Sequence, residues 1–141
     1  MVEKAINEAT TMAIHVQHPK EEFVDERGGI TFVVDGKTLR FRGALRITGK
    51  KGTIRSNHYH EKDSHVLYIE KGKCEYAEKP VDKPLSKIER VILRPGDVVL
   101  SRPRIIHAVK FLQDSVLWAF TTEERKHDTY ERDTKKIIIL T

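Results

Sequence analysis

Four of the seven histidines fall in two short segments, His58, His60 and His65 in the first and His107 in the second. Together they could bind one metal ion. His58 and His60 are two residues apart, so in a strand their imidazoles share a face, about 6.6–6.8 Å apart at the backbone. A polar four-residue turn would bring His65 back beside His60, and His107 lies in an apolar segment where an unpartnered imidazole would be costly. Four neutral imidazoles suit a divalent transition metal such as zinc, nickel, iron or manganese. The alternative is a chance His-x-His pattern beside a hydrogen-bonded core His107.

Short β-type segments are expected to position these histidines. Apolar and β-branched residues recur with period two or in short blocks, about every ten residues, and Gly, Pro or Asp separates them. This pattern predicts an all-β sandwich or barrel, with turns at Asp35-Gly36 and Lys71-Gly72, a loop over residues 79–84 and a helix only at residues 2–9. The expected strands are residues 30–34, 39–48, 65–70, 73–78, 88–93, 98–100, 105–109 and 116–121.

Length and composition exclude several classes of protein. The chain has 141 residues, enough for one core, and the single Cys74 excludes an internal disulfide and a thiolate metal cage. The net charge is +5, but basic and acidic residues are interleaved, so no nucleic-acid partner is expected. No apolar run approaches the roughly 20 residues that cross a membrane, and the first residues show no signal-peptide core. We therefore expect a cytoplasmic protein with no membrane partner.

The glycines around the histidines resemble the first motif of the cupin superfamily. Gly52, His58, His60, His65 and Gly72 have the spacing of that motif, and Pro95-Gly96-Asp97 followed by His107 resembles the second motif. The resemblance implies a double-stranded β-helix, or jelly-roll barrel, with metal ligands at His58, His60, His65 and His107. His65 replaces the usual glutamate, which implies either four histidine ligands or three with a bystander.

Within this likeness, we expect a single domain with three parts. Residues 1–24 form an arm and edge strand, residues 25–122 the cupin barrel, and residues 123–141 a C-terminal extension with a final strand.

A second resemblance is to the cupins that act on nucleotide sugars, the keto-sugar 3,5-epimerases and 3,4-ketoisomerases. Asp25-Glu26-Arg27-Gly28 and the segment from Arg55 to Tyr59 resemble their motifs, with Ser56 in place of a glycine. The resemblance implies that His58 is a base that removes a proton next to a ketone. It also implies that Arg55 contacts a nucleotide or phosphate.

Other polar residues could complete such a site. Arg102 and Arg104, with Arg55, could bind a diphosphate because guanidinium pairs bidentately with phosphate, or they could be solvated loop charges. Tyr68 could act as a phenolic acid, whereas Tyr59 should face away from the cavity and pack. An anionic or sugar-like small molecule is the expected substrate.

The two resemblances compete at His58, because an imidazole that ligates a metal has no lone pair left to act as a base. The favoured function is a metal-binding isomerase or epimerase acting on a sugar or nucleotide-linked keto-sugar. The alternatives are a metal-dependent iron dioxygenase and a binding module without turnover.

Several predicted strands are apolar on both faces, as where Val116, Trp118 and Phe120 alternate with Leu117 and Ala119. A second apolar face is stable only when it is buried against another surface, so a homodimer is expected. The alternative is an outer layer that only stabilises the sheet.

Overall fold

The computed structural model describes residues 14–34, 39–124 and 126–141. The expected helix at residues 2–9 and the turn at Asp35-Gly36 lie outside these ranges. The described chain forms twelve strands, a 3₁₀ turn at Leu85–Lys87 and one helix, α1, at His127–Asp133. The strands are β1 Val16–Gln17, β2 Glu21–Asp25, β3 Gly28–Thr31, β4 Gly43–Gly49, β5 Ile54–His60, β6 His65–Lys71, β7 Cys74–Pro80, β8 Glu89–Leu93, β9 Val98–Ser101, β10 Ile105–Phe111, β11 Ser115–Thr121 and β12 Thr134–Lys136.

Ten of these strands form two five-stranded antiparallel sheets. The first has the order β1-β9-β6-β11-β4 and the second the order β12-β5-β10-β7-β8. Both orders place strands from distant parts of the chain side by side, as a jelly roll does. The period-two pattern therefore predicted the fold class correctly.

The barrel core lies between the two sheets. Alternate residues of each strand point inward because successive side chains on a strand face opposite sides. The inward side chains form the main core cluster, namely Leu67, Ile69, Cys74, Tyr76, Leu93, Val99, Val109, Phe111, Leu117 and Ala119. Gly72 has a φ of +95° and closes the β6–β7 hairpin as expected, and an added Cβ there would meet the backbone of Asp114 at 2.6 Å.

The chain itself covers part of the outer apolar faces. Val33, Val34, Leu39 and Phe41 pack over the outer face of the first sheet. Ile139 and Leu140, together with Val81 and Ile88, cover the second. These contacts do not include Val116 or Trp118, and Phe23, Val24, Ile30 and Phe32 are exposed, so the homodimer stays a prediction.

Three local expectations need correction or refinement. A helix was expected only at residues 2–9, but α1 lies at His127–Asp133. Lys79 and Pro80 are the last residues of β7, so the loop begins at Val81. Pro80 is tolerated there because it sits at the strand end. β2 and β3 form a separate two-stranded sheet, so the expected boundary between residues 24 and 25 falls inside a hairpin.

No helix among the described residues has the length and apolarity that a membrane span requires.

Candidate active site

A β-bulge in β5 determines which side chains reach the barrel interior. Ser56 and Asn57 have φ values of 73° and 54°, and the register with β10 shifts so that His107 pairs with His58 but Ala108 pairs with Ser56. Arg55 and His58 are an odd number of residues apart, and a regular strand would place them on opposite faces. The bulge brings both to the cavity.

Asn57 stabilises this bulge from the outer face. Its side-chain oxygen accepts hydrogen bonds from the backbone N–H groups of Ile139 and Leu140 at 2.9 and 3.0 Å. Its amide nitrogen donates to the Leu140 carbonyl at 3.0 Å. The C-terminal segment thus fixes the backbone that aims His58.

The four predicted histidines meet inside the barrel. The ring centroid of His58 lies 4.6 Å from that of His60 and 4.8 Å from that of His107. The ring centroid of His65 lies 4.7 Å from that of His107. One ligand atom from each of His58, His60 and His107 lies within 4.8 Å of the others. His60, Asp63 and His65 form a second such group. These residue types and separations fit a divalent transition metal.

Hydrogen bonds set the tautomer of three of these rings. His107 Nδ1 donates to the Ile105 carbonyl at 3.3 Å, and His65 Nδ1 lies 3.4 Å from the Asp63 carboxylate. His60 Nδ1 lies 3.3 Å from the hydroxyl of Thr134, which itself donates to the Tyr130 carbonyl at 2.6 Å and must therefore accept from the ring. Each Nδ1 then carries the proton, and each Nε2 keeps its lone pair, as a metal ligand or a base requires.

Burial keeps His107 neutral. Its ring lies fully inside the barrel, and burial, followed by the neighbouring His65, His58 and His60, holds its pKa well below the usual range. A neutral imidazole is the form that binds a metal.

Three of the four histidines line an open cavity of about 430 Å³. His58, His65 and His107 form its polar wall, and Arg55 and Tyr130 also line it. The remaining wall is mostly apolar, from Leu45, Ile47, Leu67, Val109, Phe111, Leu117 and Ala119. A concave apolar site with a few converging polar groups is typical of small-molecule binding.

The tyrosine beside the histidines is Tyr130, and not Tyr68, which was expected to act as a phenolic acid. Tyr68 lies on the outer face of β6, packed with Val66 and Val98, so the structure does not bring it to the histidines. The parity of β6 explains this correction, because His65 faces inward and a residue three positions later faces outward. Tyr130, on α1, lies with its ring centroid 5.7 Å from that of His60 and 6.5 Å from that of His58.

Helix α1 is tied to the turn that follows His60. The carboxylate of Asp133 accepts hydrogen bonds from the backbone N–H groups of Glu61, Lys62 and Asp63, at 3.0, 3.0 and 3.2 Å. Asp63 in turn accepts from the backbone N–H groups of Thr122 and Glu123. This network holds Tyr130 beside the histidine cluster.

The three predicted arginines lie in different surroundings. Arg55 is exposed beside the cavity and donates to the Thr48 carbonyl at 3.2 Å. Arg104 pairs with Glu61 at 3.0 Å, and Arg102 exerts its charge on the buried Glu78. Neither Arg102 nor Arg104 lines the cavity, so the structure does not bring the expected three arginines together.

Sequence reasoning missed a buried acid at this end of the barrel. Glu78 is 3% exposed and accepts a hydrogen bond from the hydroxyl of Tyr76 at 3.1 Å. Burial raises its pKa to about 7, while Tyr76 and the charge of Arg102 act in the opposite direction. The sequence could have indicated it, because Glu78 is two residues after Tyr76 in a predicted strand and therefore shares its inward face.

Solved structures with the same fold include sugar-nucleotide enzymes. A 3,4-ketoisomerase from Helicobacter canadensis is 16% identical over 89% of this chain and 92% of its own, with a TM-score of 0.73. The chain has the cupin fold. A sugar 3,4-ketoisomerase from Thermoanaerobacterium thermosaccharolyticum, in complex with TDP, is 20% identical over 87% of both chains, with a TM-score of 0.70.

A third solved structure with a similar fold is a dTDP-4-dehydrorhamnose 3,5-epimerase from Sulfolobus tokodaii. It is 17% identical over 80% of both chains, with a TM-score of 0.65. No protein-family profile matches the sequence, and no curated protein does so either. At these identities the likeness establishes the cupin fold that the glycine and histidine spacing predicted.

Proposed function

We propose that this protein is an isomerase or epimerase that acts on a nucleotide-linked keto-sugar, with a divalent metal bound at the histidines. The observation that carries the proposal is a cluster of four imidazoles, three of which line an apolar cavity together with a phenol and an exposed arginine. Cupins of the same fold bind TDP and TDP-4-keto-6-deoxyglucose, which supports this substrate class.

Isomerisation and epimerisation of a keto-sugar begin with the same step. A base removes a proton from the carbon next to the ketone, and the electrons of the broken C–H bond move to the carbonyl oxygen. Return of a proton from the other face gives the epimer, whereas its return to the neighbouring carbon gives the ketoisomer. The site therefore needs a base, an acid and positive charge near the oxygen.

His65 is the base in this proposal. Its Nδ1 faces the buried Asp63 carboxylate, which leaves the Nε2 lone pair available, and the ring lines the cavity. Tyr130 is the group that returns a proton, because it lines the same cavity. The assignment resolves the competition at His58 by giving that ring to the metal.

His58, His60 and His107 would hold the metal, because their ligand atoms lie within 4.8 Å of one another. Bound there, a divalent ion would supply the positive charge that stabilises the developing oxyanion. The Nδ1–H tautomers of His60 and His107 leave their Nε2 atoms ready for coordination. Arg55 would meet the nucleotide diphosphate beside the cavity.

Deuterium exchange tests the reaction. Incubation of TDP-4-keto-6-deoxyglucose with the protein in D₂O should place deuterium at the carbon next to the ketone, and the product should be a 3- or 5-epimer or the 3-keto isomer. The variant His65→Asn should lose wash-in, by about 10²–10⁴-fold, since that is the usual contribution of a positioned base. No wash-in with wild type would overturn the assigned reaction.

Metal content separates the two roles of histidine. His65→Asn should retain the metal of the wild type, whereas the matched variant His58→Asn should lose most of it. The reverse pattern would make His65 the ligand and His58 the base. Iron with oxygen consumption and no wash-in would contradict the isomerase proposal in favour of an oxygenase.

A further inference from the structure

We propose that Glu78 is a positioning residue that sets the tautomer of His107 through Tyr76 and Ser101. The inference rests on the proposed function in one respect, namely that His107 is used as a metal ligand. The hydrogen-bonded chain itself is a property of the barrel interior and can be tested without metal or substrate.

The four residues come from three neighbouring elements and are all buried. His107 on β10, Ser101 on β9 and the β7 pair Tyr76 and Glu78 are each no more than 3% exposed. Ser101 Oγ lies 3.1 Å from His107 Nδ1. Tyr76 donates to Glu78 at 3.1 Å, and hydrogen bonding from the Ser101 side chain opposes the raised pKa of the Tyr76 hydroxyl. The chain links the His107 ring to a carboxyl group without contacting solvent.

The donor and acceptor properties of the groups allow only one direction for the hydrogen bonds that link His107 to Glu78. A carboxylate only accepts, so Tyr76 must donate its proton to Glu78. The Tyr76 oxygen then accepts from the Ser101 hydroxyl, and Ser101 accepts from His107 Nδ1–H. The carbonyl of Ile105, which also only accepts, reinforces the same tautomer. Every proton points away from the histidine cluster, and the His107 Nε2 lone pair faces the proposed metal.

Charged neighbours act on Glu78 from the adjacent loop and strand. Arg102 favours its ionised form, and Glu89 on β8 opposes it. Because burial raises the pKa of Glu78 to about 7, the carboxylate that orients the chain is fully formed only above neutral pH.

The test is the tautomer of His107 in metal-free, ¹⁵N-labelled protein at about pH 8.5, about 1.5 units above the raised pKa. Long-range ¹H–¹⁵N spectra distinguish protonated from unprotonated ring nitrogens, and comparison with His107→Gln assigns the signal. Wild type should show the Nδ1–H form. Tyr76→Phe removes the link while keeping the ring, and should raise the ratio of the Nε2–H to the Nδ1–H form about fivefold, the net effect of one hydrogen bond.

A matched pair of serine variants provides the control. Ser101→Ala removes a link in the chain, whereas Ser115→Ala removes a buried hydroxyl that binds the Gln113 carbonyl at the other end of the barrel. Ser101→Ala should shift the His107 nitrogens and Ser115→Ala should not. Glu78→Gln should shift them as well, because an amide can donate as well as accept. Wild-type nitrogen shifts in folded Tyr76→Phe and Ser101→Ala would overturn the proposal.

A zinc titration connects the chain to the proposed function. Tyr76→Phe should bind Zn²⁺ about tenfold more weakly than wild type, within the range for lost supporting hydrogen bonds. If wild type binds no Zn²⁺ or other divalent metal, the metal part of the proposed function fails, while the tautomer measurement still decides whether Glu78 positions His107.

Discussion

The two ends of the barrel interior are built from the same strands but are held together differently. On β10, Val109 and Phe111 point into an apolar cluster, while His107, on the same face, points into a hydrogen-bonded one. On β6, Ile69 and His65 show the same contrast. The apolar end is closed by packing between sheets, whereas the polar end depends on specific partners from α1, β9 and the turn after His60.

This contrast separates stability from chemistry along each strand. Packing stabilises roughly in proportion to buried apolar area and needs no particular partner. Hydrogen-bonded histidines contribute little net stability, but they fix which nitrogen faces the cavity. Substitutions at the apolar end should therefore lower the free energy of unfolding, and substitutions of the histidines should change metal binding.

The largest effect is expected when two histidines are removed. His60→Ala together with His107→Ala takes away two of the three proposed ligands, and metal affinity should fall by about 10⁴-fold, since a histidine or cysteine site binds zinc with about 10–16 kcal/mol in total. Metal analysis after dialysis, with circular dichroism to show that the barrel stays folded, measures this. Equal metal content in wild type and the folded double variant would contradict it.

A substitution at the apolar end should change stability and leave metal binding unaffected. Phe111→Ala should lower the free energy of unfolding by about 3–5 kcal/mol, because Phe111 is fully buried and its ring packs in the main cluster. Urea unfolding gives the loss, and metal titration under native conditions should match wild type. If metal affinity falls with stability, the two ends are coupled and the separation argued above is wrong.

A pH experiment sharpens the comparison at Glu78, the buried acid of the polar end. Its folded pKa is raised to about 7 from an ordinary 4.5. Between these values the folded chain holds a proton that the unfolded chain has lost, so this group makes wild type less stable as pH rises. Glu78→Gln lacks this dependence, and its stability relative to wild type should increase by about 3 kcal/mol from pH 4.5 to 7 and stay level above.

Urea unfolding of both proteins at several pH values measures this difference. The matched variant Glu75→Gln, on the same strand, should track wild type, because Glu75 pairs with Arg90 near the surface at 2.8 Å. A difference between Glu78→Gln and wild type that does not change with pH would show that the Glu78 pKa is ordinary.

Local periodicity explains why much of this molecule could be predicted from its sequence. Alternation along strands is a property of neighbouring residues, so it predicted the barrel. It also placed His60 and His65 on inward faces across one turn. Motif spacing then associated them with His107, which lies 47 residues after His60 and 42 residues after His65.

Features that depend on distant parts of the chain were not predictable in this way. The β5 bulge is one, since only Asn57 hints at a positive φ and its partners are Ile139 and Leu140. Tyr130 is another, because its place in the cavity depends on Asp133 binding the turn after His60. The segments that cover part of the outer faces are a third, because they lie outside the strands that they cover.

The smallest expected effect concerns Arg55. It is exposed, so its charge is partly screened, and Arg55→Ala should weaken binding of TDP about tenfold, in the range of one charge-assisted hydrogen bond. Calorimetric titration with TDP, and with thymidine as the neutral comparison, measures it, and thymidine affinity should not change. Arg104→Ala is the matched control, because Arg104 pairs with Glu61 away from the cavity. If both variants weaken TDP equally, the effect comes from net charge and not from the position of Arg55 beside the histidines.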